Sequence, residues 1–173
     1  MIIKKLKING CYLIECLKKK DIRGFFCKQL ELGRLEKKIK NKIVFKEYFV
    51  SSSKQNCIRG MHFQKKPYEN YKLVTCLDGS ITDVIFDRRK SSSTYGKYQK
   101  ISLNNLSKSI FVDKGVAHGF LTLSKSSLVS YLVTSDYKKS YDTGIKWNSI
   151  KVNWGIKNPI ISNRDKKLKN FVK

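Results

Sequence analysis

Short stretches of alternating apolar and polar residues recur along most of this chain, with turn residues between them. Such runs are typical of half-buried β-strands. Only one segment keeps a roughly helical period of apolar residues, over residues 29–39. With many short strands, one clear helix and only two prolines, the pattern indicates an all-β protein that closes into an antiparallel barrel or sandwich. The predicted strands are a β-like segment within residues 1–17, then 44–50, which Ser51-Ser52-Ser53 ends, 72–77, 80–86, 98–103, 109–112, 119–123 and 128–134.

The strongest local signal is Asp78-Gly79, which stands between two β-rich runs. This dipeptide favours the positive φ angles of a tight turn, so we predict a hairpin of 72–77 and 80–86. Alternation within the first run places Lys72, Val74 and Cys76 on one face. We expect one face of this hairpin to line the interior of the barrel.

The length of 173 residues predicts a single domain, 1–173, with a sizeable core. The formal net charge of +24 would suit a polyanionic partner such as nucleic acid. However, the lysines are scattered from end to end and no nucleic-acid motif concentrates them, which favours solvated basic faces. A basic barrel that binds single strands stays open as an alternative, because aromatics interleave with lysines in Lys97-Tyr98-Gln99-Lys100.

The cysteines and the hydropathy pattern bear on location. Five cysteines, an odd number without Cys-x-x-Cys spacing, predict reduced thiols in a cytosolic protein. The amino-terminal residues show no apolar core of signal-peptide length, and no apolar run approaches the length that crosses a bilayer. We therefore expect a cytoplasmic protein without a membrane partner.

The two histidines of the chain lie in two apolar runs that are far apart in sequence. One is Arg59-Gly60-Met61-His62-Phe63-Gln64, and the other is Val116-Ala117-His118-Gly119-Phe120. Either histidine alone would suggest an ordinary half-buried residue, but a barrel can bring two such strands together to form a site. Two distant histidines without a His-x-His pair argue against the usual histidine-rich metal site, so we predict no metal.

Several further motifs, in order, resemble one family: the 3,5-epimerases of nucleotide-linked 4-keto-6-deoxy sugars. The resemblance extends from about Asp21 to Asp165. It implies a cupin-like jelly-roll barrel with a few short helices, no metal or other cofactor, and usually a homodimer. The motifs are Asp21-x-Arg23-Gly24-x-Phe26, the two histidine runs, Lys72-Leu73-Val74 with Gly79, Asp83-Val84 with Asp87-x-Arg89, Ser93-Thr94-Tyr95-Gly96, Tyr131, Gly144-Ile145-x-Trp147 and Ser162-x-x-Asp165.

The resemblance also implies roles for five catalytic residues. His62 matches the base that removes a proton beside the ketone, and Asp165 matches the aspartate that orients this histidine. Tyr131 matches the acid that returns a proton from the opposite face. Lys72 matches the cation beside the enolate oxygen, and His118 the second histidine of the site. Taken alone, Tyr131 would be a strand aromatic and Lys72 an edge lysine.

Substrate binding is implied for a second group of residues. Arg23 and Arg59 match arginines that hold the nucleotide diphosphate, although each alone could be a surface ion pair. Three positions depart from the family pattern: Lys28 replaces a glutamate, Glu47 a glutamine and Phe49 an asparagine. These departures leave the nucleotide base open. The full predicted substrate-binding set is Arg23, Phe26, Lys28, Glu47, Phe49, Arg59, Gln64 and Tyr137.

The reaction that the resemblance implies is inversion at carbon 3, carbon 5 or both, through an enolate, for deoxysugar or surface-polysaccharide synthesis. The same base and acid serve one proton exchange or two. An epimerase that acts at a single carbon, or on another nucleotide 4-keto sugar such as a heptose, therefore stays open.

Overall fold

Two antiparallel β-sheets face each other in the computed structural model, which describes residues 1–172. The two helices are short, as the sequence predicts. The elements are β1 (Ile2–Lys5), β2 (Tyr12–Glu15), β3 (Lys18–Asp21), β4 (Gly24–Cys27), α1 (Leu32–Ile39), β5 (Glu47–Lys54), β6 (Ile58–Gln64), β7 (Lys72–Asp78), β8 (Ser80–Asp87), β9 (Tyr98–Asn104), β10 (Lys108–Val112), β11 (Val116–Thr122), β12 (Ser126–Val133), β13 (Asp142–Gly144) and α2 (Asn163–Lys166).

The strand order is that of a cupin-like jelly roll, which confirms the predicted all-β class. One sheet has the order β1-β2-β10-β7-β12-β5, and the other β13-β6-β11-β8-β9. Neighbours in each sheet are mostly distant in sequence, so the sheets assemble through crossovers rather than through a series of hairpins. That all of residues 1–173 form one domain stays a prediction.

The predicted hairpin at Asp78-Gly79 is wrong. Its two strands lie where expected, but β7 pairs with β10 and β12, whereas β8 pairs with β9 and β11. The turn is therefore a corner at which the chain passes from one sheet to the other. Gly79 has φ +77°, and a Cβ at this position would lie 2.2 Å from the carbonyl oxygen of Ser126. The Asp-Gly dipeptide predicts that the chain bends here, but it does not determine with which strands β7 and β8 pair.

Two predicted element bounds also differ from the structure. The three serines do not end their strand, because β5 continues to Lys54 and pairs along its whole length with β12. Pairing with β12 within the sheet overrides the weak β propensity of serine here. Helix α1 begins at Leu32 rather than at residue 29, and Leu35 is its fully buried contact with the outer face of the six-stranded sheet.

Strand alternation decides which side chains reach the interior between the sheets. On β7, Val74 and Cys76 join the central core cluster as predicted, and Lys72 lies on the same inward face. Ile81 and Ile85 of β8 also belong to this cluster, so Asp83 between them faces inward as well. The interior is apolar at one end and polar at the other. The polar end contains the candidate site.

The outer faces of both sheets are covered by other segments. Helix α1 and Ile43 pack on the six-stranded sheet. The chain from Ile145 to Trp154 covers the five-stranded sheet. Within residues 1–172 no helix is long and apolar enough to span a bilayer.

A small hairpin, β3–β4, pairs with neither main sheet. Its side chains point largely to solvent, with Ile22 fully exposed and Phe25 and Phe26 more than half exposed. At the tip, the Arg23 guanidinium donates to the Asp21 carboxylate at 2.6 Å. This hairpin holds the first motif of the family resemblance, away from the barrel interior.

Candidate active site

A cavity of about 320 Å³ opens at the polar end of the barrel, between the two sheets. Residues from both sheets and from α2 surround it, and most of them occupy inward positions of their strands. The lining residues are Glu47, Phe49, Ser51, Arg59, His62, Phe63, Gln64, Asn70, Lys72, His118, Phe120, Tyr131, Val133, Ser135, Tyr137, Asp142 and Arg164.

His62 lies at the cavity wall and is held by a buried carboxylate. Its Nε2 is 2.7 Å from Oδ1 of Asp165, and the backbone N–H of Gly60 donates to Oδ2 of the same carboxylate at 3.1 Å. Burial would raise the pKa of Asp165, but the hydrogen bonds from His62 and Gly60 lower it below its ordinary value. Asp165 therefore stays ionised and leaves the other nitrogen of the His62 ring for the cavity.

Helix α2 positions Asp165 by a local capping interaction. The Ser162 side chain, at the N-cap, accepts a hydrogen bond from the Asp165 backbone N–H at 3.1 Å. This is the usual N-cap arrangement and it fixes the first turn of the helix. The motif Ser162-x-x-Asp165 thus has one residue that sets the helix and one that faces His62.

His118 forms a second histidine–carboxylate pair, deeper in the barrel. Its Nε2 is 2.7 Å from Oδ2 of Asp83, and both side chains are buried. His118 and His62 are direct partners in the pairing of β11 with β6. Within residues 1–172, the other oxygen of Asp83 is buried without a hydrogen-bond partner.

The two histidine strands approach each other unusually closely because of two glycines. Gly60 has φ +131°, and a Cβ there would lie 2.6 Å from Cα of Gly119. A Cβ on Gly119 would lie 2.7 Å from the carbonyl oxygen of Arg59. Only glycine fits both positions without a shift of the backbone. The strand register is irregular at this point, between His118 and Phe120.

Lys72 extends into the cavity from β7 and donates from Nζ to the His62 carbonyl oxygen at 3.1 Å. Burial lowers the pKa of Lys72 to about 8, although the carboxylates of Asp142 and Asp83 act to raise it. The side chain is thus a cation near neutral pH, next to the strand that carries His62.

Tyr131 comes from the sheet opposite His62. Its ring stacks on Phe49 at a centroid distance of 4.8 Å and meets His118 edge-on at 6.1 Å. Burial raises the pKa of Tyr131 above its ordinary value. The phenol is therefore protonated across the physiological range, as a proton donor must be.

The cavity also contains five of the predicted substrate-binding residues: Glu47, Phe49, Arg59, Gln64 and Tyr137. Arg59 donates from Nε to Ser53 Oγ and from Nη2 to the Ser52 carbonyl oxygen, both at 2.8 Å. Glu47 accepts from the Tyr137 backbone N–H at 2.8 Å, which ties the exposed Tyr137 to the rim.

Gln64 lines the cavity, but its amide is engaged with the protein itself. The NH₂ group donates to the Tyr68 carbonyl oxygen and to Ser135 Oγ, and the carbonyl oxygen accepts from the Lys138 backbone N–H. This arrangement gives Gln64 a positional role in the cavity wall. Substrate binding by Gln64 stays a prediction.

Arg23, Phe26 and Lys28 lie outside the cavity of their own chain. Arg23 and Phe26 belong to the exposed β3–β4 hairpin, and Lys28 follows it directly. Within one chain Arg23 is thus an exposed ion pair with Asp21, the simpler interpretation of the sequence. Contact of these three residues with a substrate would require a second copy of the chain.

Comparison of the whole chain with known proteins shows the family to which it belongs. The sequence model of the dTDP-4-dehydrorhamnose 3,5-epimerase family matches residues 5–173. The chain belongs to this family. A dTDP-4-dehydrorhamnose 3,5-epimerase of Shigella flexneri is 36% identical over 155 residues, which cover 88% of this chain and 86% of that protein.

Solved structures of the 3,5-epimerase family are also similar. The Bacillus anthracis dTDP-4-dehydrorhamnose 3,5-epimerase, with TDP and PPi bound, has a TM-score of 0.90 and 34% identity, covering 98% of this chain and 100% of that one. The Legionella pneumophila dTDP-6-deoxy-D-glucose-3,5-epimerase, in complex with dTDP-4-keto-L-rhamnose, has a TM-score of 0.91 and 27% identity, covering 98% and 92%.

Sequence reasoning missed several polar residues of this epimerase-family site. Asp83 was noted only as part of a motif, although its inward position between Ile81 and Ile85 marks it as a buried charge in need of a partner. Asp142 and Arg164 form an ion pair at 2.6 Å on the cavity wall. In the sequence, the only signal for the pair of Asp142 and Arg164 was that Arg164 directly precedes Asp165. The other missed lining residues with polar side chains are Ser51, Asn70 and Ser135.

No group of three or more His, Cys, Asp or Glu side chains suited to hold a metal ion occurs among residues 1–172. The five cysteines are free thiols, and Cys11 and Cys76 are buried. Burial raises the pKa of Cys11 to about 12, which keeps it protonated.

Proposed function

We propose that this chain is an isomerase that inverts carbon 3, carbon 5 or both of a nucleotide-linked 4-keto-6-deoxy sugar. The observation that carries the proposal is the convergence of His62, Lys72 and Tyr131 on one cavity from different strands, with Asp165 behind the histidine. Membership of the 3,5-epimerase family supports the same reaction class. A base, an acid on another wall and a cation between them are what this chemistry needs.

The proposed first step is proton removal next to the ketone. The carbonyl at carbon 4 acidifies the C–H bonds at carbons 3 and 5. The free nitrogen of His62 takes one of these protons. The electron pair of the broken C–H bond forms a double bond to carbon 4, and the π electrons of the carbonyl move onto its oxygen to give an enolate. The ionised Asp165 stabilises the resulting imidazolium and fixes its ring.

The proposed second step is proton return from the opposite side. The Lys72 ammonium stabilises the enolate oxygen, and as the enolate collapses the Tyr131 hydroxyl gives its proton to the carbon from which His62 took one. His62 then loses its proton to solvent and the Tyr131 phenolate regains one, so the site is restored. The net change is inversion at that carbon.

We propose that a nucleoside diphosphate holds the sugar in this cavity. The exposed ring of Tyr137 at the rim offers a stacking surface for a base, and the guanidinium groups of Arg59 and Arg164 suit phosphate oxygens. The Bacillus anthracis and Legionella pneumophila relatives are described with TDP and with dTDP-4-keto-L-rhamnose bound. Thymine is one candidate base for this chain, with Glu47, Phe49 and Lys28 as the positions that would decide it.

We also propose a homodimer in which the β3–β4 hairpin reaches the partner subunit. The exposed Phe25 and Phe26 with the adjacent Arg23 form an apolar and cationic tip that has no contact with its own cavity. The dimer is tested by sedimentation of the protein and of an Arg23→Ala, Phe26→Ala variant. We expect the wild-type protein to sediment as a dimer, and a wild-type monomer contradicts this. We expect the variant to bind substrate more weakly in either oligomeric state, and unchanged binding contradicts a role for the tip.

The cytoplasm is the proposed location, because nucleotide sugars are made there and the cysteines are free thiols. No membrane or nucleic-acid partner is part of the proposal. The product would supply the synthesis of a deoxysugar or surface polysaccharide.

The test is proton NMR of the protein in D₂O with dTDP-4-keto-6-deoxyglucose. Loss of the signals at both carbons 3 and 5 is expected from an enzyme that inverts both, and loss of one from an enzyme that inverts a single carbon. If folded protein exchanges neither proton, the same measurement with GDP-, CDP- and UDP-linked 4-keto sugars follows. Absence of exchange with all of them would refute the proposed reaction.

A further inference from the structure

The acid of the proposed reaction has an aromatic neighbour of its own. Phe49 of β5 and Tyr131 of β12 are direct cross-strand partners, and their rings are nearly parallel, with an interplanar angle of 17°. Phe49 is 46% exposed and lines the cavity, so one face of its ring covers Tyr131 while the rest borders the space for the sugar.

This contact fixes the orientation of the Tyr131 ring. The strand pairing holds the backbone, so the main remaining freedom of the phenol is rotation about its side-chain torsions. Phe49 covers one face of the ring, and His118 meets the ring at an angle of 75°. Together the two contacts define the ring plane, and therefore the direction in which the hydroxyl points.

The direction of its hydroxyl decides whether the proposed acid can act. A general acid acts only within hydrogen-bond reach of the atom that it protonates, and a small misplacement costs a large factor in rate. The Ser51 side chain is a polar neighbour of the Tyr131 hydroxyl and acts to lower its pKa. A single polar contact at the end of the side chain does not fix the plane of the ring, whereas the stacked Phe49 ring does. Phe49 has no proton to give, so any effect on proton delivery must pass through Tyr131.

We propose that Phe49 is the positioning residue of the acid: by stacking on Tyr131 it aims the hydroxyl at the enolate carbon and determines how often exchange leads to inversion. This inference rests on the proposed function. Removal of a proton by His62 does not involve Phe49, whereas its return from the opposite face does. When His62 returns a solvent-derived proton to the same face, exchange occurs without inversion.

The experiment measures the ratio of inverted product to solvent exchange. The protein is incubated in D₂O with saturating dTDP-4-keto-6-deoxyglucose, and both quantities are followed by proton NMR. Because the ratio is taken at saturation, weaker substrate binding by a Phe49 variant does not alter it. We expect Phe49→Leu to lower the ratio about tenfold. Phe49→Tyr, which keeps the stacked ring, should restore most of it.

Two controls separate positioning from general damage. Tyr48→Leu removes an exposed aromatic ring from the other face of the same strand, outside the cavity, and should leave the ratio unchanged. In a Tyr131→Phe background, Phe49→Leu should lower the ratio no further, because the group through which it acts is already absent. Circular dichroism melts report whether each variant is folded.

The outcomes are distinct. An unchanged ratio in folded Phe49→Leu, or a further decrease on top of Tyr131→Phe, overturns the inference and leaves the proposed function intact. A Phe49→Tyr ratio as low as that of Phe49→Leu also overturns it. If wild-type protein exchanges no proton with any nucleotide 4-keto sugar, the proposed function fails, and this inference fails with it.

Discussion

Two histidines that face each other across paired strands are each bound to a carboxylate at 2.7 Å, yet their surroundings differ. The His62 side chain is 27% exposed and reaches the cavity, whereas that of His118 is 4% exposed and its partner Asp83 is completely buried. Asp165 has a hydrogen bond at each oxygen, but Asp83 has one bare oxygen among the described residues.

The comparison shows that a histidine–carboxylate pair can have different roles, which depend on its exposure to the cavity and on the hydrogen bonds of its carboxylate. A histidine that takes a proton from a substrate needs an open nitrogen, and a fully bound carboxylate behind it keeps its geometry constant. The more deeply buried pair, of which only His118 lines the cavity, instead holds the interior together and places polar groups beneath the site. We therefore expect substitution of His62 to affect chemistry and substitution of His118 to affect stability.

The largest effect is expected for His62→Ala. Loss of the base should lower the rate of proton exchange by about 10³-fold, because a positioned general base contributes roughly 10²–10⁴. The measurement is deuterium incorporation into a 4-keto sugar nucleotide. The variant should lose less stability than His118→Ala, since Asp165 keeps its hydrogen bond from the Gly60 backbone N–H. Full activity in this variant would refute the assignment of the base.

The buried pair should give the opposite result. His118→Ala leaves the Asp83 carboxylate buried without its partner, and we expect a loss of about 3 kcal/mol in the free energy of unfolding. Urea denaturation measures it. In the double variant Asp83→Leu, His118→Leu the unpaired carboxylate is removed together with the histidine, so most of the stability should return. A double variant no more stable than His118→Ala would show that the pair contributes more than charge compensation.

Lys72 sharpens the comparison through pH, because it donates to the strand of the exposed histidine. With a pKa of about 8, Lys72 is a cation below pH 8 and becomes neutral above it. The protonated fraction of Lys72, and with it the rate that depends on enolate stabilisation, should therefore fall about tenfold for each pH unit well above 8. Rates measured from pH 6 to 10 give the profile. Lys72→Arg keeps its charge over this range and should lack the decline; an identical decline would assign it to another group.

The smallest effect concerns the capping residue behind the exposed pair. Ser162→Ala removes the side-chain acceptor for the Asp165 N–H, which should cost about 1 kcal/mol of stability and lower the rate about threefold. Urea titration and the exchange assay measure the two effects. Asn163→Ala, at an exposed position of the same helix, serves as the control and should change neither. Equal effects in the two variants would argue against the cap as the relevant contact.

The sequence predicted which residues gather at the cavity better than it predicted the path of the chain around it. His62, His118, Lys72, Tyr131 and Asp165 were predicted from ordered motifs, and alternation placed Lys72 on an inward face. The partner of each strand could not be predicted, since a local turn such as Asp78-Gly79 is compatible with a hairpin and with a corner between sheets.

Side-chain partnerships were equally beyond the sequence. Asp83 and His118 are far apart in the chain, and only the register of β8 with β11 brings them together. The stacking of Phe49 on Tyr131 depends in the same way on the pairing of β5 with β12, because a shift of one residue would turn every side chain to the other face. The motif Asp21-x-Arg23-Gly24-x-Phe26 was recognised in the sequence, but the distance of the β3–β4 hairpin from the cavity of its own chain is set by the fold.

The close approach of Gly60 and Gly119 has a consequence for mutational tolerance. In a library of all single substitutions selected for enzyme activity, these two positions should accept as few replacements as His62, although neither has a functional group. Any added side chain would separate the strands that carry the two histidines. For this barrel, a map of positions that tolerate no substitution would therefore include sites of close backbone contact as well as the residues proposed to transfer protons.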